Sequence, residues 1–376
     1  MAEAPLRERV RAVMDAHWRP EGYTVPNTDV YPWQWLWDSC FHAIIWAALG
    51  EPARAVGELR SALADQASDG FVPHVRYVTD PSFLEPFWGR AGTSSITQPP
   101  MYGHAVAELA RRGVDVPADV VAAAEAGIRF LVDHRARSDD GLVTVVHPWE
   151  TGCDDSPRWD HWCGPGGWDP ARWYDVKGEL LSTVERSTCG SPLANPAFAV
   201  APAGFNALVA FNAAELGLHA EAADLAAALE RRWEPALATW VDGAHPSGRV
   251  RTADALLATL VPTRTDRRRR EAAFAQLDEA DAFGGRYGPP AVHRDEPAFD
   301  PGAYWRGASW PQLTYLLWRA GAPVGDRLVS GARASGLAEY WHPDTGAGLG
   351  AVPQSWAGLA LLAAEPSSPF GSVPAR

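Results

Sequence analysis

DSCFHAIIWAAL, Asp38 to Leu49, stops at Gly50 and is followed by PARAVGELRSALADQA, Pro52 to Ala67. Apolar residues in both segments recur at three- and four-residue spacing, the period of a helix. Glycine just after the first segment and proline at the head of the second are the residue types that end and begin helices. The stretch therefore reads as a helical hairpin. The same punctuation recurs: Pro99 to Arg112 stops at Gly113 before Pro117 to Arg137, and Pro202 to Leu216 stops at Gly217 before Ala220 to Trp240. Ala253 to Leu260 precedes Thr265 to Glu279, and Trp310 to Ala320 stops at Gly321 before Val324 to Tyr340. Ser355 to Ala364 has the N-terminal Leu6 to Trp18 as its partner. Period-two alternation is almost absent, so the expected class is all-α. Six hairpins close into a ring when the last segment packs against the first. The expected architecture is an (α/α)6 toroid in one domain, residues 1–365, with a Pro/Ser-rich tail at 366–376.

Composition narrows the function classes. Of 376 residues 47% are hydrophobic and 21% charged, as in soluble globular chains. A net charge of −13 argues against nucleic acid, whose phosphates require clustered cations. The densest basic run, Arg264 to Arg270, lies in a helical pattern and reads as a solvated face. Four scattered cysteines do not make a disulfide framework, so a reduced, cytoplasmic chain is expected. His147, Cys153, His161 and Cys163 are zinc-ligand types, but their spacing fits no common zinc pattern, and no metal is expected. The N-terminal MAEAPLRERVRAVMDAHW has no apolar signal core, and no apolar run approaches the ~20 residues that span a bilayer.

Tryptophan is abundant, 18 against 3 methionines, and most of it lies outside the alanine-rich helical segments, where aromatics more often form binding surface than core. Three long connections, Gly70 to Ile96, Gly141 to Asn195 and Ala280 to Gly307, are too long to be idle and are expected to line one mouth of the ring. PWETGCDDSPRWD, Pro148 to Asp160, gathers Glu150, Asp154, Asp155 and Asp160 with Arg158, Trp149 and Trp159. Two carboxyl groups share acid and base work only where surroundings separate their pKa values, and indole walls raise one of them. Sugar rings also stack on such walls. The structural alternative, Ser156 or Asp155 capping a helix begun by Pro157, accounts for one acid but not for Glu150, Asp154 and the aromatics together.

YPWQWLWDSCFH, Tyr31 to His42, sets Trp33, Trp35 and Trp37 at alternate positions before Asp38. Asp38 is either the cap of the next helix or an acceptor for sugar hydroxyls at the end of a short strand. FVPHVRY and TQPP add His74 and Gln98 in loops. YWRGASWPQ places Arg306 and Gly307 between Trp305 and Trp310. The Arg306 fork suits an anionic substituent, a catalytic carboxylate or a structural ion pair. AEYWHPDTGAGLGAVPQSW ends a helix with Glu339 and runs through glycines to Gln354.

Taken in order, WDSCFH, FVPH, PWETGCDDSPRW, FNALVAFNAAEL, YWRGASWPQ and EYWHPDTGAGLG resemble glycoside hydrolase family 63, most of all its bacterial mannosylglycerate and glucosylglycerate hydrolases, and more distantly trehalases. The resemblance implies an (α/α)6 barrel and cofactor-free, inverting hydrolysis of an α-glycosidic bond in a small carbohydrate. It makes Asp154 the general acid and Glu339 the general base. Tyr31, Trp35, Asp38 and Gln354 then contact sugar and glycerate, and Trp305, Arg306 and Trp310 fall in the pocket motif. Two departures stand out: Ala347 occupies the place of a usual glutamate, and the segment after Asp160 lacks the acidic, proline- and threonine-containing pattern of the glycerate hydrolases. Between Trp159 and Gly190 there are four tryptophans and one lysine, Lys177, which points to a bulkier, more apolar aglycone unless Arg306 or Arg172 anchors a carboxylate.

Three other classes are weighed. A DD motif in a helical chain binds magnesium diphosphate in terpene cyclases, but this loop lacks the accompanying lysines and a second acidic motif. A non-catalytic sugar-binding relative would not require both carboxylates. An epimerase or isomerase on the same toroid would lean on His74 and His104.

Overall fold

A helix with one apolar stripe covers a core, whereas one buried all round lies inside it. In the computed structural model, which describes residues 4–261 and 267–365, the helices divide on that criterion. α1 (Leu6–His17) buries one face through Leu6, Val10 and Met14, while α2 (Leu36–Ala48) buries every residue but Ala47. α3 (Pro52–Ala62) again buries one stripe, Ala55, Glu58, Leu59 and Ala62. A single turn, α4 (Glu85–Trp88), sits in the following loop. α5 (Tyr102–Arg111) is inner and α6 (Ala118–Arg129) outer; α7 (Pro170–Ser182) lies within the long mid-chain connection. α8 (Ala203–Glu215) is inner and α9 (His219–Glu230) outer. A wholly buried 3-10 segment, Ala253–Leu260, pairs with α10 (Arg267–Ala275). α11 (Pro311–Arg319) is inner and α12 (Gly325–Ala334) outer. Finally Ser355–Leu359 runs into α13 (Ala360–Ala364) and returns to α1.

The inner elements close on themselves: α2 packs on α5, α5 on α8, α8 on 253–260, that segment on α11, α11 on 355–359, and 355–359 on α2. This is the expected (α/α)6 toroid. The tail 366–376 and the beginning of the expected helix at Thr265 lie outside the described residues. No helix among the described residues is long and apolar enough to cross a membrane.

Several expected elements differ, each for a local reason. The helix expected to reach Trp240 stops at Glu230, because Pro235 cannot continue it and Trp233–Glu234 pairs antiparallel with Thr239–Trp240. The helix expected to reach Tyr340 stops at Ala334: Gly336 and Leu337 turn at φ +76° and +63°, and Tyr340–Trp341 pairs with Gly348–Leu349. Glu339 therefore precedes a strand rather than ending a helix. The connection 141–195 holds α7, begun by Pro170 and capped by Asp169, which accepts a bond from the Arg172 amide at 2.7 Å. Asp38 is not a cap, since it lies inside the first turn of α2. The turn Pro157–Cys163 forms, but neither Ser156 nor Asp155 caps it by a side-chain bond.

Candidate active site

Residues that precede or begin the inner elements converge at one mouth, around a cavity of about 490 Å³. Tyr31, Trp35, Trp37 and Asp38 come from the start of α2, Gln98 from before α5, Trp305 from before α11, and Gln354 from before the last inner segment. The long connections add His74, Trp149, Asp154 and Glu339. The strand Gln34–Trp35, paired with Val75–Arg76, brings the tryptophan segment beside His74.

Glu339 is held by two donors. The Tyr31 hydroxyl donates to Oε1 at 3.0 Å and the Ala351 amide to Oε2 at 2.9 Å. Gly350 lies at φ +68°, and a Cβ there would collide with Oε2. Burial raises the Glu339 pKa, while these two hydrogen bonds oppose the rise by favouring the ionised form.

Asp154 has different surroundings. Its side chain is 14% exposed, and its backbone carbonyl accepts from the Trp173 indole at 2.8 Å. Burial, then the neighbouring Asp155, push its pKa up to about 7 against the opposing pull of Lys177. The Lys177 ammonium lies 2.9 Å from Asp155 Oδ1 and 3.4 Å from Asp154 Oδ2, between the faces of Trp149 and Trp173. Both Trp173 and Lys177 belong to α7, the helix missing from the sequence expectation.

The remaining wall is aromatic and polar. Asp38 is buried, and burial with the nearby Glu339 raises its pKa well above the carboxylate range. His74 is neutral, pushed down to about 3 by burial and then His147, with Nδ1 2.6 Å from Ser94 Oγ. Gln98 Oε1 accepts from the Trp37 amide at 3.2 Å. Trp305 is stacked on Trp310 at 3.7 Å. Three buried polar atoms of this wall, Trp35 Nε1, Trp305 Nε1 and Gln354 Oε1, have no protein partner.

Four residues expected at the substrate lie elsewhere. The Glu150 carboxylate is taken up by Arg135 (3.0 Å) and the amides of Thr97 and Val146, so it is a buried structural ion pair. Arg306 forks onto Asp160 at 2.8 and 2.7 Å, donates to the Asp155 carbonyl at 3.2 Å and covers Trp168, and it is not among the residues that line the cavity. Gly307 serves packing, since a Cβ would come within 2.6 Å of the Asp300 carbonyl. Trp310 stands behind Trp305, stacked on Tyr340 at 4.6 Å. Conversely, Tyr174, Tyr304 and Trp356 line the cavity and were not singled out. Tyr304 adjoins Trp305 in the same motif, which was the available signal; Tyr174 required knowledge of α7. Among the described residues no three His, Cys, Asp or Glu side chains converge as a metal site.

A six-hairpin toroid with paired carboxyl groups in an indole-walled mouth is the architecture of a glycoside hydrolase. The chain belongs to the mannosylglycerate hydrolase MGH1-like glycoside hydrolase family, whose model matches residues 31–357. It is 30% identical to a mannosylglycerate hydrolase of Thermus thermophilus, over 90% of this chain and 96% of that one. It is equally 30% identical to a glucosylglycerate hydrolase of Mycolicibacterium hassiacum, over 89% and 92% of the two chains. The structure of Thermus thermophilus mannosylglycerate hydrolase in complex with glucose superposes with a TM-score of 0.79 at 25% identity, covering 96% of this chain and 99% of that one. Neutral trehalase from Saccharomyces cerevisiae shares the fold at 13% identity and a TM-score of 0.55, over 96% of this chain and 79% of its own.

Proposed function

We propose that the protein is an inverting α-glycosidase acting on a small α-glucoside or α-mannoside, with Asp154 as general acid and Glu339 as general base. The observation that carries this is the placing of two carboxyl groups in one cavity: Glu339 accepts from the Tyr31 hydroxyl and the Ala351 amide, which favour its anion against the rise that burial causes, whereas Asp154 is buried beside Asp155, which raises its pKa further. In such a reaction the protonated acid donates to the leaving oxygen. The carboxylate takes a proton from water as that water attacks the anomeric carbon from the opposite face, across a carboxyl separation of roughly 6.5–9.5 Å. The unpartnered indole N–H groups of Trp35 and Trp305 and the Gln354 oxygen supply donors and an acceptor to a hydroxyl-rich ring. That relatives are named for mannosylglycerate and glucosylglycerate, and that one has been crystallised with glucose, supports a hexose in this mouth.

Proton NMR of gluco- and manno-configured α-glycosides tests the assignment: the first sugar released should be the β-anomer, and early α-anomer sinks inversion. Asp154→Asn and Glu339→Gln should each lower kcat at least ~10²-fold. Near-normal turnover by either removes that residue from its role.

A further inference from the structure

We propose that the natural leaving group is an uncharged, apolar alcohol, aromatic or comparably hydrophobic, and not glycerate; the proposal rests on the hydrolase reading above. No lysine or arginine is among the described residues lining the catalytic cavity, whereas Asp38, Asp154 and Glu339 are. His74 supplies no cation there, because burial keeps it neutral. Lys177 binds Asp155 and Asp154 from outside the cavity lining, Arg306 forks onto Asp160, and Arg172 pairs with Glu179 on an exposed face. A carboxylate entering this mouth would meet the Glu339 anion with no lysine or arginine in the described lining to offset it.

Apolar surface is offered instead. Among the described residues the exposed large apolar side chains are Val30, Phe83, Leu84, Phe87, Tyr174 and Val352, and all of these but Val352 line this one cavity. Single exposed apolar residues need no explanation, but their concentration on one concave rim marks a surface that a ligand covers. The rim is continuous with the reaction centre. Phe83 packs on Trp33 at 4.8 Å, while Phe87 packs on Trp88 at 4.8 Å and reaches Trp149 at 6.3 Å. Trp149 in turn faces the lysine that touches Asp154. A general acid protonates the leaving oxygen, so the leaving group must lie on the acid's side of the ring, which is where this aromatic path ends. The occupant is therefore the aglycone of the same substrate.

Benzyl, glyceryl and glycerate α-glycosides, in both gluco and manno series, separate apolarity from charge, because benzyl alcohol and glycerol are leaving groups of comparable intrinsic reactivity. We expect kcat/KM for the benzyl glycoside to exceed that for the glyceryl glycoside at least tenfold, and the glycerate compound to be poorest. Phe87→Ser and Tyr174→Ser should lower the benzyl value several-fold more than the glyceryl value. Preference for glycerate, or equal losses on both neutral substrates, overturns the proposal. Should no glycoside be cleaved, the hydrolase reading fails, and calorimetric titration of the same compounds decides the aglycone site separately. Tighter binding of the benzyl ligand than of the glyceryl ligand supports it, and indifference overturns it.

Discussion

Lysine occurs once in this chain, at Lys177, and replacing it with methionine removes the positive charge that touches Asp154. At the observed 3.4 Å and an effective dielectric of about 20, an isolated charge pair is worth ~5 kcal/mol. Asp155 takes the shorter contact, 2.9 Å, and neutralises much of that charge. The expected effect is therefore toward the low end of the range for an opposite charge at this distance, a rise of about 1 to 2 pH units in the Asp154 pKa. In the proposed role of general acid Asp154 acts when protonated, so kcat/KM should fall as pH rises through its pKa, about 7 in the parent chain. In Lys177→Met this basic limb should move to about 8–9, with the rate at low pH changed far less. The lone lysine permits a second readout. With [13C]lysine labelling, one Cε resonance should shift as pH passes about 7 in the parent chain and lose that response in Asp154→Asn. A basic limb that stays in place, or a loss of rate uniform across pH, refutes the tuning role and leaves Lys177 a structural clamp.

Three further outcomes are expected. In the folded state Asp154 holds its proton up to about 7 instead of the ordinary 3.8, so its contribution to stability is full below the unfolded value and is lost as pH rises through about 7. Asp154→Asn should thus be more stable than the parent above pH 7, by up to about 4 kcal/mol, and nearly equal at pH 4; urea melts at both pH values check this, and equal differences contradict it. Gly350→Ala drives a Cβ against Glu339 Oε2, so kcat should fall ~10²-fold or more while circular dichroism stays native. Glu150→Gln leaves Arg135 buried beside a neutral partner, and a urea melt should show a loss of about 3 kcal/mol, with KM little changed because Glu150 does not reach the cavity.

Helix positions were legible because their signals are local: the break at Gly50, the start at Pro52, and apolar spacing that α2 and α3 repeat in the structure. Helix ends differ from the apolar period where a proline or a capping residue intervenes. Pro235 stands inside the stretch whose spacing predicts a helix to Trp240, and Asp169 with Pro170 begins a helix in a connection expected to be non-helical. Asp154 stands out in its acidic, tryptophan-flanked motif and Glu339 is marked only by the family resemblance, and both line the cavity together with Tyr31, Trp35, Asp38 and Gln354. A position before an inner helix is a property of sequence, and closure of the ring turns it into a position at the mouth.

What sequence alone determined, then, was the order of helices and the chemical types delivered to one end of the toroid. Only the tertiary structure decided which charges are free. Arg306 meets Asp160 across 146 residues, Lys177 meets Asp155 across 22, and Arg135 meets Glu150 across 15. Helical period and turn chemistry act over a few residues, whereas a charge pair depends on distance in space, which the chain acquires only when its elements pack. That is why sequence leaves Arg306 open between a substrate anchor and an ion-pair partner while the structure makes it the partner of Asp160, and why the lysine beside the acid is visible in sequence as a residue but not as a neighbour.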